Sequence, residues 1–158
     1  MTRRVKCFGR EAALTVEPVT AADGVTRTVN IDAARRRDPR HYDWDDKLVV
    51  QVTGAELADA LATLLGLRAR LECLYHGPRR DKGYRVEHVG GACSVSVFAA
   101  GRGLRRVGLA PAERLALGAL LFHQLQRNHG GVPGEALLRM LELCYGPAPD
   151  AGAAAPGP

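Results

Sequence analysis

Six aromatic residues that fall outside the helical segments, Phe8, Tyr42, Trp44, Tyr75, Tyr84 and Phe98, keep close company with lysine and arginine. Lys6 and Arg10 flank Phe8. Arg40 and Lys47 bracket Tyr42 and Trp44, Arg85 follows Tyr84, and Arg102 and Arg105 follow Phe98. The chemistry such a mixture suits is non-covalent. Exposed rings stack unpaired bases at about 1–3 kcal/mol each, while cations track the phosphates. A duplex hides the faces of its bases, so stacking platforms favour single strands. The candidate contact set is Lys6, Phe8, Arg10, Tyr42, Trp44, Lys47, Tyr75, Arg85, Phe98, Arg102 and Arg105. Any one ring serves equally well as core, and Tyr75 and Tyr84 also read as a pair packed across a hairpin.

Covalent chemistry finds less support. His41, His76, His88, His123 and His129 are scattered, and no Gly-x-Ser-x-Gly, Walker or HExxH pattern occurs. Gly101-Arg-Gly103-Leu-Arg-Arg does not complete a dinucleotide fingerprint and falls between strands rather than before a helix. Cys7, Cys73, Cys93 and Cys144 form no CxxC pair. Cys73 and His76 have ligand-like spacing, but no second tight pair completes a zinc site. The sequence therefore reads as a non-enzymatic protein with reduced thiols, no metal and no cofactor.

The elements that must position these residues follow from patterning. At 158 residues and 46% apolar, the chain fits one folded domain. Strands are expected over Val5–Phe8, Leu14–Val19, Val25–Ile31 and Lys47–Val52, then over Leu71–His76, Tyr84–Val89, Cys93–Ala99 and Leu104–Leu109. Along Cys93–Ala99, Ser94, Ser96 and Phe98 share one face, which reads as the solvent side. Arg35-Arg-Arg37 and Arg79-Arg80 read as loop charges or as nucleic-acid contacts.

Each set of strands ends in a helix. Thr53 followed by Glu56 is a capping box ahead of Leu57, Leu61 and Leu64 at helical spacing. Pro111 opens a second helix that runs to about Arg127. Short spacings argue for antiparallel sheets rather than βαβ units. The expected class is α+β: a duplicated ββββα unit forming two four-stranded antiparallel sheets packed across each other, plus a C-terminal helix over Glu135–Tyr145. Residues 1–130 make the binding domain, 131–146 a helical extension, and 147–158 a disordered Pro/Ala/Gly tail.

Charge follows the strands. Residues 1–40 carry nine Lys/Arg against five Asp/Glu and residues 67–109 carry nine against three, whereas residues 41–66 carry one against five. A basic sheet face is the footprint of a polyanion binder. The stretch from Leu115 to Phe122 is apolar almost all round its helix, which assigns Leu117, Leu120 and Leu121 to a subunit interface. No run spans a bilayer, and the N-terminus lacks a secretory h-region, so the expected location is the cytoplasm or nucleoid. Two other readings stay open: RNA in place of DNA, and a duplex reader built on the helices at 111–127 and 135–145.

The order of motifs resembles the Whirly family of single-stranded DNA-binding proteins over about residues 8–127. Gly9-Arg-Glu-Ala-Ala-Leu-Thr-Val-Glu-Pro18 is similar to the family's Lys-Gly-Lys-Ala-Ala-Leu stretch and the Val-Glu-Pro after it. Tyr42-Asp-Trp44, Lys47 and Val52-Thr53-x-x-Glu56 look like its second block. Leu71-Glu72 to Tyr75-His76-Gly-Pro78 resembles its Glu-Phe-(Phe)-His-Asp-Pro turn, and Val107 to Leu115 its strand into the second helix. The resemblance implies a fourfold homotetramer that binds single-stranded DNA along and between its sheets with little sequence preference. It implies roles in genome maintenance, repair or transcription. An ungapped match puts Glu11 where the family has lysine; a one-residue insertion gives that role to Arg10. No organelle presequence is seen, which fits a bacterial or phage member.

Overall fold

Hairpins whose strands alternate apolar and polar residues can bury only one face, so two of them in series need a second sheet or a helix to close the core. The computed structural model describes residues 3–146 and shows both solutions at once. Strands β1 (Val5–Phe8), β2 (Ala12–Thr20), β3 (Arg27–Asp38) and β4 (His41–Gln51) lead into helix α1 (Gly54–Leu64). Strands β5 (Arg70–His76), β6 (Lys82–Val89), β7 (Ala92–Ala99) and β8 (Gly103–Leu109) lead into α2 (Pro111–Asn128), and α3 (Gly134–Tyr145) follows. Each set forms one four-stranded sheet in chain order, antiparallel throughout. The expected class and the duplicated ββββα order are what the chain adopts.

One core joins the halves. Cys7, Leu14, Val16, Ile31 and Leu48 of the first sheet and Tyr84, Val95, Val97 and Val107 of the second are buried with Leu57 and Leu61 of α1. Leu117, Leu120, Leu121 and Leu125 of α2 and Leu137 and Leu141 of α3 belong to the same cluster. Thr53 caps α1 as expected: its hydroxyl accepts from the Glu56 N–H at 3.2 Å, and the Glu56 carboxylate accepts from the Thr53 N–H at 3.0 Å. Tyr145 ties the end of α3 to α1 by donating to Asp59 at 2.6 Å.

Three expectations change. Arg35-Arg-Arg37 are strand, not loop, because β3 runs on to Asp38 and β4 begins at His41. Tyr42 and Trp44 therefore lie within β4, in a stretch where pairing jumps from Arg35–Asp43 to Ala33–Leu48 and Trp44 to Lys47 bulge opposite Ala34. Ser94 and Ser96 do not face solvent. They are small residues on the central strand β7, flanked by Glu87 and Gly108 and by Arg85 and Arg106, and are 4% and 1% exposed. Lastly, Leu117, Leu120 and Leu121, expected at a subunit interface, belong to the protomer's own core and are 4%, 4% and 3% exposed.

No described helix is long and apolar enough to cross a membrane. The tail assigned to 147–158 lies outside the described residues.

Candidate nucleic-acid interface

The turn between β1 and β2 builds the site. Phe8 ends an edge strand and is 56% exposed. Its ring lies 5.8 Å from that of Tyr42, tilted by 40°, so the two form an open aromatic corner. The Tyr42 hydroxyl donates to the Gly9 carbonyl at 2.7 Å. A Cβ at Gly9 would stand 3.1 Å from the Ala12 carbonyl oxygen and 3.3 Å from Val107 Cγ1, so any side chain there would have to push the turn a few tenths of an ångström away from β8. The result is a cleft of about 610 Å³ lined by Phe8, Gly9, Arg10, Glu11, Arg36, Arg106 and Gly108. It joins the first sheet to the outer face of the second.

One cation here is fixed without being neutralised. The Arg36 guanidinium donates to the carbonyls of Arg10, Asp38 and Pro39 at 3.0, 3.2 and 2.6 Å, and stands 6.0 Å from the Tyr42 ring centroid. Carbonyls orient a guanidinium but leave its charge in place. Arg10, Arg106 and Lys6 are exposed and make no ion pair among the described residues. Glu11 is the carboxylate that shares the cleft lining with them.

Other sequence-predicted cations are occupied by neighbouring carboxylates. Lys47 donates to Asp32 at 2.7 Å, and that bond holds its ammonium above the usual lysine range. Arg85 donates to Glu72 at 2.8 Å, and Arg70 bonds the same carboxylate. These bonds, Arg85 first, keep the Glu72 carboxyl below its ordinary value. Arg85 also stands 5.6 Å from the Phe98 ring centroid, so Phe98 is a half-buried ring capped by a paired arginine. Arg102 bonds Asp46 at 2.6 Å and, ahead of the Coulombic pull of Arg102, Arg105 and Arg35, depresses that carboxyl.

Arg105 is corrected as a contact residue. It is 1% exposed and donates to the carbonyls of Ala33 and Asp46 at 2.7 and 2.6 Å, clamping β8 to β3 and β4. Burial pushes its guanidinium down in pKa, and Asp46 offsets that. Its neighbour Arg106 points the other way, into the cleft. The alternation Arg105, Val107, Leu109 carried this signal, since Arg105 shares a strand face with apolar residues.

The remaining aromatics divide. Tyr75 is 67% exposed on left-handed backbone (φ 64°), with Arg80 5.6 Å from its centroid. Trp44 is half-buried in the β4 bulge. Tyr84 is core: its hydroxyl donates to Glu56 at 3.1 Å, and burial pushes its pKa far up. Glu56 also meets His76 at 3.1 Å. Burial works to raise the Glu56 carboxyl, but the Thr53 N–H, the Cys73 thiol and His76 outweigh it and hold it below the ordinary value. The structure thus brings Phe8, Arg10 and Tyr42 together, adds Arg36 and Arg106, and leaves Tyr75 at a separate hairpin tip.

No family model matches the sequence, and no curated protein matches it. Solved structures do resemble the fold. WHY3 from Arabidopsis thaliana superposes with a TM-score of 0.60 at 20% identity, covering 91% of this chain and 96% of that one. The plant transcriptional regulator PBF-2 gives 0.61 at 19% identity, covering 93% and 89%. WHY1 from Arabidopsis thaliana gives 0.56 at 19% identity, covering 91% and 93%. At these identities the likeness establishes architecture: the chain has the fold of plant Whirly proteins.

Proposed function

We propose that this protein binds single-stranded DNA with little sequence preference, without enzymatic activity, in genome maintenance, repair or transcription. The observation that carries this reading is the cleft at the β1–β2 turn, where the open Phe8–Tyr42 corner meets Arg10, Arg36 and Arg106. Rings with free faces take unpaired bases, and cations not paired with carboxylates take phosphates. The fold shared with a protein described as a plant transcriptional regulator supports the same direction. Lys6 extends the track along β1. Tyr75 with Arg80 offers a stacking point at the β5–β6 tip. Stacking on ring faces and contacts to phosphates carry little sequence information, which is why sequence preference is expected to be weak. The unit is residues 1–130, with α3 serving as its buttress.

Assembly as a homotetramer completes the reading. It would use the side of α2 that the protomer leaves open, where Ala112, Leu115, Ala116 and Ala119 are exposed. This side borders an apolar groove of about 790 Å³ between α1, α2, α3 and the β6–β7 turn. Small side chains let two helices approach closely, and Leu115, 75% exposed, supplies the apolar area.

Fluorescence anisotropy with a labelled 30-mer of oligo-dT and the matched duplex tests the binding. The single strand is expected to bind far more tightly, with an affinity that falls as salt rises. Equal affinity for both, or no binding at moderate salt, overturns the reading. Native mass measurement tests assembly, with four chains of 16.9 kDa expected and one chain contradicting it.

A further inference from the structure

We propose that Glu113 is a positioning residue that holds Phe8 for base stacking, an inference that rests on the single-strand reading above. Glu113 lies in the first turn of α2, far from Phe8 in sequence. Its two carboxylate oxygens are divided. One accepts from the Ala110 N–H at 2.9 Å, which is one half of a capping box whose other half is missing because Ala110 has no side-chain acceptor. The other accepts from the Phe8 N–H at 2.9 Å. β1 is an edge strand of four residues paired only with β2, so its outer N–H groups have no ladder partner. Glu113 supplies one at the residue that carries the exposed ring.

The helix behind Glu113 is rigidly seated, because Leu117, Leu120, Leu121 and Leu125 are all core. Phe8 is therefore anchored to the helix layer on one side. On the other, Gly9 is anchored to Tyr42 through the tyrosine hydroxyl and to β2 through the bond from its N–H to the Ala12 carbonyl at 2.8 Å. A ring on a clamped backbone loses little conformational freedom when a base stacks on it, and affinity gains accordingly.

Electrostatics and positioning predict opposite signs for loss of this carboxylate. A negative group beside a phosphate track weakens binding, so its removal alone should tighten the complex. If Glu113 acts through Phe8, its removal loosens the ring and weakens the complex despite the favourable change in charge. The salt slope stays fixed, because no phosphate contact is lost.

The test uses the full chain and oligo-dT, with Glu113→Gln, Phe8→Ala, their combination, and Ala110→Pro. Glutamine keeps one acceptor oxygen and loses the other. Proline at 110 fits the observed φ of −64° and removes only the helix-side N–H. The expected results are three. Glu113→Gln weakens binding about 3–10-fold at unchanged salt slope, converting to roughly 0.7–1.4 kcal/mol. It has no weakening effect once Phe8 is alanine. Ala110→Pro binds as the parent does. If Glu113→Gln tightens binding, adds independently to Phe8→Ala, or is matched by Ala110→Pro, the positioning role is overturned while the single-strand reading stands. If the parent protein binds no oligo-dT, both fall together.

Discussion

The two halves of the chain use the same local device for different ends. Each carries a glutamate at the third position of the helix that follows its sheet. Glu56 of α1 turns inward: it caps Thr53 and also meets His76 and the buried Tyr84. Glu113 of α2 turns outward: it caps Ala110 and reaches the edge strand at Phe8. One carboxylate organises core and the other organises surface. The ββββα order occurs twice, and the neighbours of each glutamate decide whether it ties core elements together or fixes an exposed edge strand.

The sharpest way to break this contrast is Glu56→Ala. It removes half of a capping box, worth about 1 kcal/mol. It also strips the carboxylate partner from Tyr84, a buried hydroxyl, at about 1–3 kcal/mol. We expect a loss of roughly 2–4 kcal/mol in urea unfolding with oligo-dT affinity unchanged. A variant that keeps its stability but loses binding would reverse the assignment of the two halves.

Phe8→Ala should do the opposite. The ring is more than half exposed, so the urea midpoint should hold, while oligo-dT affinity falls by about 1–3 kcal/mol. Anisotropy titrations read the loss, and a change smaller than twofold would remove Phe8 from the site.

Cations sharpen the comparison further. Arg106 is exposed in the cleft with no ion pair among the described residues, whereas Lys47 is held by Asp32. Each phosphate contact on a single strand contributes about 0.7 to the slope of log affinity against log salt. Arg106→Ala should lower that slope by about this amount, and Lys47→Ala should leave it nearly unchanged. Equal slopes for the two variants would mean that ion pairing on the sheet face does not select the track.

Much of this architecture is legible in the sequence because its signals are local. Alternation in Cys93–Ala99, the Thr53–Glu56 box and Pro111 mark elements within a few residues of themselves. The long β3–β4 hairpin is not legible. Its outer half is a run of arginine and aspartate, and charges that face solvent on both sides erase the apolar period that marks a strand. The site is legible in residue type but not in membership. Phe8, Tyr42 and Arg10 are readable as candidates, yet what separates free Arg106 from buried Arg105 is one step of strand register. The partnership of Glu113 with Phe8 is set by how α2 crosses β1, which no local pattern encodes.

The smallest expected effect concerns protons. Glu56 has its carboxyl held below the ordinary value of 4.5 in the folded state. Its ionised form therefore contributes stability that is fully present above pH 4.5 and is lost as the pH falls through the lower folded value. Glu56→Gln cannot titrate, so the difference in stability between parent and variant should be constant near neutrality and shrink on acidification below that point. Urea midpoints of the parent and of Glu56→Gln, collected from pH 7 down to about pH 3, the range over which carboxylates titrate, read that difference. Because Asp46 and Glu72 are held below their ordinary values as well, the reading is the difference between the two curves, and a difference that stays constant or widens below pH 4.5 would mean that the inward carboxylate does not carry proton-linked stability.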